Sequence, residues 1–143
     1  MARGPNPQKR FTNLGVITTG FGDKTEQEAF HGGVDIANSS GTPIRAPVDG
    51  VVTKVEGGRA DGENSFGNTL ELRDADGQVH QFHHLQNMNV KLGMPIKKGA
   101  QVATIGRTGA VYSPSGGDPS NLDYRIVNRY NQYINPLMYA KYL

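Results

Sequence analysis

Residues 68–85 read NTLELRDADGQVHQFHHL, and this stretch decides the fold class. Two short runs that suit extended strands, residues 68–73 and 78–85, flank the tetrapeptide DADG at residues 74–77. An Asp-Gly pair supplies the positive φ that a tight hairpin turn requires. The stretch therefore predicts an antiparallel β-hairpin.

The rest of the chain repeats this pattern of short strands separated by turn residues. Gly 19 and Pro 8 are spread through the 143 residues, and runs with helical periodicity are nearly missing. We expect two short strands within residues 43–55, a turn and a strand within 94–106, and an alternating strand at 121–127. The fold class predicted is all-β, built of antiparallel sheets.

Two segments depart from the strand pattern. Residues 106–120, GRTGAVYSPSGGDPS, are rich in Gly, Pro and Ser, which predicts a loop that borders a cleft. The C-terminal segment NPLMYAKYL predicts one short helix with Asn135 as N-cap and Pro136 in the first turn. Its apolar residues indicate a packing role.

The strand expected at residues 121–127 has two unlike faces. Its apolar side chains are Leu122, Tyr124 and Ile126. Its other face carries an amide, a carboxylate and a guanidinium, from Asn121, Asp123 and Arg125. A polar face turned to water is the ordinary explanation, because antiparallel sheets often have one solvated side.

Composition restricts the class of protein. A chain of 15.5 kDa is long enough for one domain with a core. Lys+Arg 15 against Asp+Glu 13 gives a net charge of +2, and the basic residues form no stripe that could follow a phosphate backbone. We therefore expect no nucleic acid partner, while a mildly basic surface suits an anionic partner such as a bacterial cell wall.

The absence of Cys restricts the chemistry further. Disulfides, thiolate metal sites and a Cys nucleophile are excluded, so that a metal ion would have to be held by His and carboxylate side chains. No apolar run is long enough for a signal-peptide core or a membrane span. We expect a soluble protein without a signal peptide.

Four of the residues in HGGVD, residues 31–35, bear on a metal site. His31 and Asp35 are residue types that bind zinc, and the two glycines between them would let the backbone turn so that both side chains reach one point. A simple glycine turn with an Asp that bonds locally would produce the same sequence, and this motif alone favours that simpler interpretation.

A second cluster holds three of the four histidines in the chain. On an extended strand His80 and His84 share a face with Phe82, whereas His83 points the other way. We expect His80 and His83 to be solvated or structural. His84, at the end of the strand before Leu85, is the candidate for proton transfer.

The blocks HGGVDIA, GTPIRAPVDGVV, GNTLELRDADGQVHQFHHL, VKLGMPIKKGAQVATIGRTG, NLDYRI and INPLMY, in this order, resemble the lysostaphin-type (LytM-like) zinc endopeptidases, which cut peptide bonds in bacterial peptidoglycan. The resemblance covers roughly residues 20–139. It implies the barrel-sandwich, lysostaphin-like fold and one zinc ion as cofactor. Residues 1–19 are then an N-terminal extension, and residues 20–143 are the peptidase domain.

The resemblance also assigns roles to residues. His31 and Asp35 match the first two zinc ligands of the family, and His84 matches a catalytic histidine. The last block of the family normally reads His-Leu-His-Phe-Glu, in which the first His is catalytic and the second binds zinc. Asn121 and Asp123 occupy those two places here, followed by Tyr124 and then by Arg125 in place of Glu.

Two interpretations of these changes remain open. In the first, His31, Asp35 and Asp123 bind zinc, and the domain is a weakened peptidoglycan endopeptidase in which Asn121 can hydrogen-bond but cannot shuttle a proton. In the second, Arg125 pairs with Asp123 where the metal would lie, and the domain is an inactive cell-wall-binding or structural component, for example of a phage tail.

Two other families share parts of the pattern. Biotinyl and lipoyl carrier domains need a modified Lys in a hairpin signature that Lys54, Lys97 and Lys98 do not have. Sugar-phosphotransferase IIA domains need a phosphorylated His paired with a second one, which a phosphorylation assay would detect.

A lysin-like domain without an export signal also suits a bacteriophage. We therefore expect action at the cell wall, with peptidoglycan and phage structural proteins as partners.

Overall fold

The computed structural model describes residues 10–25, 28–57, 66–111 and 116–143. Strands form most of the regular structure in these segments, and the helix is four residues long. The elements are β1 (Arg10–Phe11), β2 (Val16–Thr19), β3 (Gly33–Ala37), β4 (Pro43–Arg45), β5 (Gly50–Glu56), β6 (Asn68–Arg73), β7 (Val79–Met88), β8 (Pro95–Ile96), β9 (Gln101–Ile105), β10 (Asn121–Val127), β11 (Tyr133–Ile134) and α1 (Leu137–Ala140).

The strands pair antiparallel throughout. The main order is β1-β2-β3-β10-β7-β6-β5-β8, with β11 beside β10 and with β9 joining β4 to β7. The all-β, antiparallel prediction is confirmed. In this order β10 lies between β3 and β7, so the segments that hold His31, Asp123 and the three β7 histidines become neighbours.

The predicted hairpin is present as β6 and β7. Gly77 has a φ of +80°, as the Asp-Gly turn requires. The Asp74 carboxylate accepts hydrogen bonds from the backbone N–H groups of Asp76 and Gln78 and so fixes the turn. The hairpin is therefore specified by its own four turn residues.

The two faces of β10 are both buried, contrary to the expectation of a solvated polar face. Leu122, Tyr124 and Ile126 pack in the core as predicted, with no exposed surface. On the other face Asp123 and Arg125 are 4% and 3% exposed. Buried charges require partners, and those partners form the candidate site.

The sheet begins before the boundary expected at residue 20. Strand β2 pairs with β3, and β1 pairs with β2, so part of the N-terminal extension is joined to the same sheet. Residues 1–9 lie outside the described residues. The division at residue 19 stays a prediction.

The C-terminal helix begins one residue later than expected. Pro136, and not Asn135, is the N-cap, although the Asn135 side-chain oxygen still accepts the N–H of Leu137 at 3.0 Å. Ala140 and Leu143 are buried against the core, whereas Met138 is 70% exposed. The predicted packing role therefore holds for one side of the segment.

The loop predicted at residues 106–120 is described on both sides of residues 112–115, which lie outside the described residues. Apart from a bridge between Gly106 and Asn121, the described part contains no strand or helix. None of the helices in the described segments has the length and apolarity needed to cross a membrane.

Candidate metal centre

Pairing of β3 with β10 brings three possible metal ligands together. Asp35 lies directly opposite Asp123 in the register, and His31 lies just before β3. One ligand atom from each of these three residues lies within 4.8 Å of the other two. The structure thus brings together the three ligands proposed from the sequence, although Asp123 lies more than eighty residues after His31 and Asp35.

The glycines of HGGVD serve a purpose other than the expected turn. Neither Gly32 nor Gly33 has a positive φ, and Gly33 belongs to β3. A Cβ on Gly33 would lie 2.4 Å from the Tyr124 carbonyl oxygen, and one on Gly32 would lie 3.0 Å from Nη1 of Arg125. The glycines therefore allow the close approach of β10 and of the Arg125 side chain.

His31 is oriented by two carboxylates. Its Nδ1 lies 3.0 Å from Oε1 of Glu28, and because a carboxylate only accepts, Nδ1 carries the proton. Its Nε2 lies 3.2 Å from Oδ1 of Asp35 but makes no aligned hydrogen bond to any described residue. Nε2 therefore faces the Asp35 carboxylate, which favours a proton or another cation at that atom.

Nearby carboxylates raise the pKa of His31. Burial alone lowers the pKa of His31, but the close approach and charge of Asp35, the charge of Asp123 and the hydrogen bond that Nδ1 donates to Glu28 raise it to about 9. The pKa of Glu28 is lowered by Arg125 and His31, against the opposing effect of burial. The centre thus favours a positive charge at Nε2 of His31.

Arg125 is bound at both ends of its guanidinium. Its Nε and Nη2 donate to Oδ1 and Oδ2 of Asp123, each at 2.9 Å. Its Nη1 and Nη2 donate to the two oxygens of Glu28, at 3.1 and 2.8 Å. The rings of Phe66 and Tyr133 lie 4.8 and 5.4 Å from its Cζ, within the range of cation–π contact.

His80 is structural, as predicted, and it is buried. Its Nε2 donates to Asp74 at 2.9 Å, and its Nδ1 accepts from the Tyr124 hydroxyl at 2.7 Å. Burial lowers its pKa, although Asp74 raises it. Both nitrogens are satisfied within the core.

The expected sharing of a face by His80 and His84 is wrong. His84 has a φ of +68°, and β7 changes register on either side of it, so strict alternation ends there. Nδ1 of His84 donates to the Thr108 carbonyl at 2.8 Å, which leaves the lone pair of the neutral ring on Nε2. This is the tautomer of a proton acceptor.

His83 is buried rather than solvated, and it lies opposite Asp123 in the register. Its Nδ1 lies 2.9 Å from the Thr69 hydroxyl, its ring stacks on Phe66 at 4.0 Å, and its Nε2 has no hydrogen-bond partner among the described residues. Burial lowers its pKa to about 4, with Asp123 opposing that shift. His83 is therefore neutral at pH 7.

Asn121 lies at the start of β10, two residues before Asp123. Its Nδ2 donates to the Pro119 carbonyl at 2.9 Å, so the amide is held by its own loop. A groove of about 390 Å³ opens at this end, lined by Ser39, Ser40, Gln86, Arg107 and Asp118. An amide in this place can hydrogen-bond a ligand but cannot transfer a proton as His does.

The donor set fits a zinc ion. Nε2 of His31 is buried without an aligned hydrogen bond among the described residues, and a metal that displaces its proton would bind there. A His whose other nitrogen donates to a carboxylate is the usual zinc ligand. An ionised carboxylate offers about four lone-pair positions, and Arg125 uses two of those on Asp123. Once the proton of His31 is displaced, three carboxylates against one guanidinium leave a charge of −2, which a dication would balance.

Several of these residues could not be identified in the sequence. Glu28, Phe66 and Tyr133 approach Arg125 from distant parts of the chain, and they carry no motif. Only a general rule points to such residues: a buried pair of guanidinium and carboxylate requires further hydrogen-bond partners. That rule predicts a second acid near Arg125 without giving its position.

Comparisons with known proteins identify the family of the chain. The model of peptidase family M23 matches residues 29–136. The peptidoglycan DD-endopeptidase ShyC of Vibrio cholerae is 37% identical over 63% of this chain and 20% of its own length. The murein hydrolase activator NlpD of Salmonella dublin is 30% identical over 91% of this chain and 30% of its own length.

The fold has solved counterparts as well. The catalytic domain of lysostaphin, an antimicrobial peptidase from Staphylococcus simulans, superposes with a TM-score of 0.70 and 25% identity, over 86% of this chain and 90% of that one. The lysostaphin-like fold prediction is thereby confirmed. The chain spans between 16% and 30% of the length of curated relatives such as the DipM and NlpD proteins. By the match over residues 29–136, the chain belongs to peptidase family M23.

Proposed function

We propose that this domain hydrolyses peptide crosslinks of peptidoglycan as a zinc metallopeptidase with a lowered rate. One observation carries the proposal: Glu28 fixes His31 in the tautomer that presents Nε2 beside Asp35 and within reach of Asp123. Three side chains that can each offer a ligand atom thus meet at one point, with those atoms within 4.8 Å of one another.

The residues around this centre supply the rest of the chemistry. Zinc, when bound by His31, Asp35 and Asp123, would polarise the scissile carbonyl and activate a water molecule. His84 is held by Thr108 with Nε2 free of its proton, so it can accept a proton from that water. The Asn121 amide can donate a hydrogen bond to a developing oxyanion.

Two changes from the family pattern should slow the reaction. A positioned proton-transfer group typically contributes about 10²–10⁴-fold to the rate, and Asn121 cannot supply it. A second carboxylate in place of an imidazole also makes the metal site less positive, which should acidify the water less. Hydrolysis is therefore expected, at a rate well below that of an intact His-x-His centre.

A second function is favoured by one further observation. Arg125 donates to both oxygens of Asp123, as expected if a guanidinium replaces the metal. The domain would then bind peptidoglycan without cutting it, and the similarity to a protein named as a murein hydrolase activator suits that function. A structural role in a phage particle is the related prediction from the sequence, and mass spectrometry of purified virions would test it.

Release of peptide from purified peptidoglycan separates the two functions. The wild-type chain should release peptide slowly when zinc is supplied, a chelator should stop the release, and His84→Ala should abolish it. The Asn121→His variant should be faster, because it restores a proton-transfer group. Release by wild-type protein that is no greater than by His84→Ala, with zinc present, would reject hydrolysis in favour of binding alone.

A further inference from the structure

Arg125 raises a problem for any metal at this centre, since it occupies both oxygens of one proposed ligand. If the guanidinium stood in the place of the metal, it would be expected to bind the other two ligands as well. Among the described residues, however, its hydrogen bonds go only to Asp123 and Glu28. His31 and Asp35 keep their approach to each other at 3.2 Å.

Glu28 links the two halves of the centre. Its Oε1 accepts from both Nδ1 of His31 and Nη2 of Arg125, and its Oε2 accepts from Nη1 of Arg125. The contacts therefore form a continuous chain from His31 through Glu28 and Arg125 to Asp123. Each end of that chain is a proposed metal ligand.

We propose that Glu28 and Arg125 are positioning residues that hold His31 and Asp123 in metal-binding orientation, so that Arg125 accompanies the metal instead of replacing it. This inference rests on the proposed zinc centre. Glu28 sets the tautomer of His31, and Arg125 fixes the plane of the Asp123 carboxylate through two parallel hydrogen bonds. The remaining lone pairs of Asp123 stay free for an ion.

The residues around Arg125 leave space for its side chain and contact its guanidinium. Gly32 leaves room for Nη1 of Arg125, and Gly33 leaves room for its Cγ, which a Cβ would approach to 2.5 Å. Phe66 and Tyr133 place their rings near the guanidinium. Glu28 precedes the family match at residues 29–136, so the match assigns it no role.

Changes that conserve charge give the sharpest test, because removing a charge would alter the affinity for any cation. Arg125→Lys keeps the positive charge but loses the planar fork that joins Asp123 to Glu28. Glu28→Asp keeps the negative charge but shortens the reach to His31. Zinc affinity, measured by competition with a chelating dye, should fall about ten- to a hundredfold in each variant.

Matched controls separate orientation from general damage to the sheet. Glu71→Asp and Arg73→Lys make the same exchanges on β6, outside the centre, and should leave zinc affinity unchanged. The visible absorption of bound Co²⁺ should change in the two centre variants and not in the two controls. Urea denaturation of each metal-free variant will show whether it is folded, and if Arg125→Lys does not fold, Glu28→Asp decides alone.

Two results would overturn the inference. A rise in zinc affinity for Arg125→Lys would mean that the guanidinium competes with the metal, and unchanged affinity in both centre variants would mean that neither residue positions a ligand. Failure of the wild-type chain to bind zinc at all is a different outcome, since it would reject the proposed zinc centre and this inference together.

Discussion

His31 and His80 are both buried beside a carboxylate, yet their surroundings are opposite. His80 has a partner at each nitrogen, from Asp74 and the Tyr124 hydroxyl, and its pKa is lowered. His31 donates from Nδ1 to Glu28, its Nε2 faces Asp35 at 3.2 Å without an aligned hydrogen bond, and its pKa is raised to about 9. The first arrangement completes a core, whereas the second places one nitrogen against further negative charge. The raised pKa, and not the unpartnered nitrogen that His83 also has, distinguishes His31 from the structural histidines.

The largest effect should come from removing the imidazole of the metal centre. His31→Ala should weaken zinc binding by more than about a hundredfold, beyond the range of changes in residues that only orient ligands. His80→Ala should bind zinc with nearly wild-type affinity, as far as it folds. Calorimetric titration with zinc measures both, and equal affinities for His31→Ala and the wild-type chain would remove His31 from the centre.

Substitution of His80 should lower the unfolding free energy more than substitution of His31. His80→Ala leaves a cavity and the buried Tyr124 hydroxyl and Asp74 carboxylate without their partner, which should cost about 2 to 4 kcal/mol of unfolding free energy. Metal-free His31→Ala should lose less when both variants are compared at pH 9, because the stability that the raised pKa of His31 contributes at lower pH has largely disappeared there. Urea denaturation in the presence of a chelator provides the comparison, and a greater loss for His31→Ala would contradict it.

Acid should destabilise the metal-free protein through the core histidines. The pKa of His80 is lowered and that of His83 is lowered to about 4, so below pH 6.5 the unfolded chain binds protons that the folded chain does not. The unfolding free energy should therefore fall from pH 7 to pH 5. His31, with its raised pKa, contributes fully below pH 6.5 and loses that contribution as the pH rises through about 9. Denaturation curves at pH 5, 7 and 9 would show a maximum near pH 6.5 to 7, and increasing stability toward pH 5 would be inconsistent with buried neutral histidines.

The smallest effect should come from the hydroxyl of Tyr124. Tyr124→Phe keeps the ring that packs on Phe82 and removes only the hydrogen bond to His80, which should cost about 1 kcal/mol. Zinc affinity should not change, although residue 124 adjoins Asp123. A loss of zinc affinity would mean that the two histidine sites are coupled through β10.

Much of the fold could be predicted because its signals are local. The Asp-Gly turn specifies the β6–β7 hairpin, and the alternation of Leu122, Tyr124 and Ile126 specifies the buried face of β10. These features depend on residues a few positions apart. The N-terminal strands were not predicted, because β2 depends on pairing with β3 and has no turn signal of its own.

The site could be predicted only in part. Convergence of His31, Asp35 and Asp123 was expected from the family resemblance, and the distances show it. The positive φ of His84, which breaks the alternation of β7, could not be deduced from the run of three histidines. Glu28 was missed because its contact with Arg125 spans 97 residues, and no local pattern encodes such a contact.

The central claim is that His31, Asp35 and Asp123 form one zinc site while Arg125 remains bound to Asp123. Zinc-edge X-ray absorption of the zinc-loaded, gel-filtered protein tests it most directly. The account predicts about one zinc ion per chain, with one imidazole nitrogen and carboxylate oxygens at roughly 2.0 to 2.2 Å. A chain that retains no zinc, or a zinc shell that contains two or more imidazoles, would contradict it.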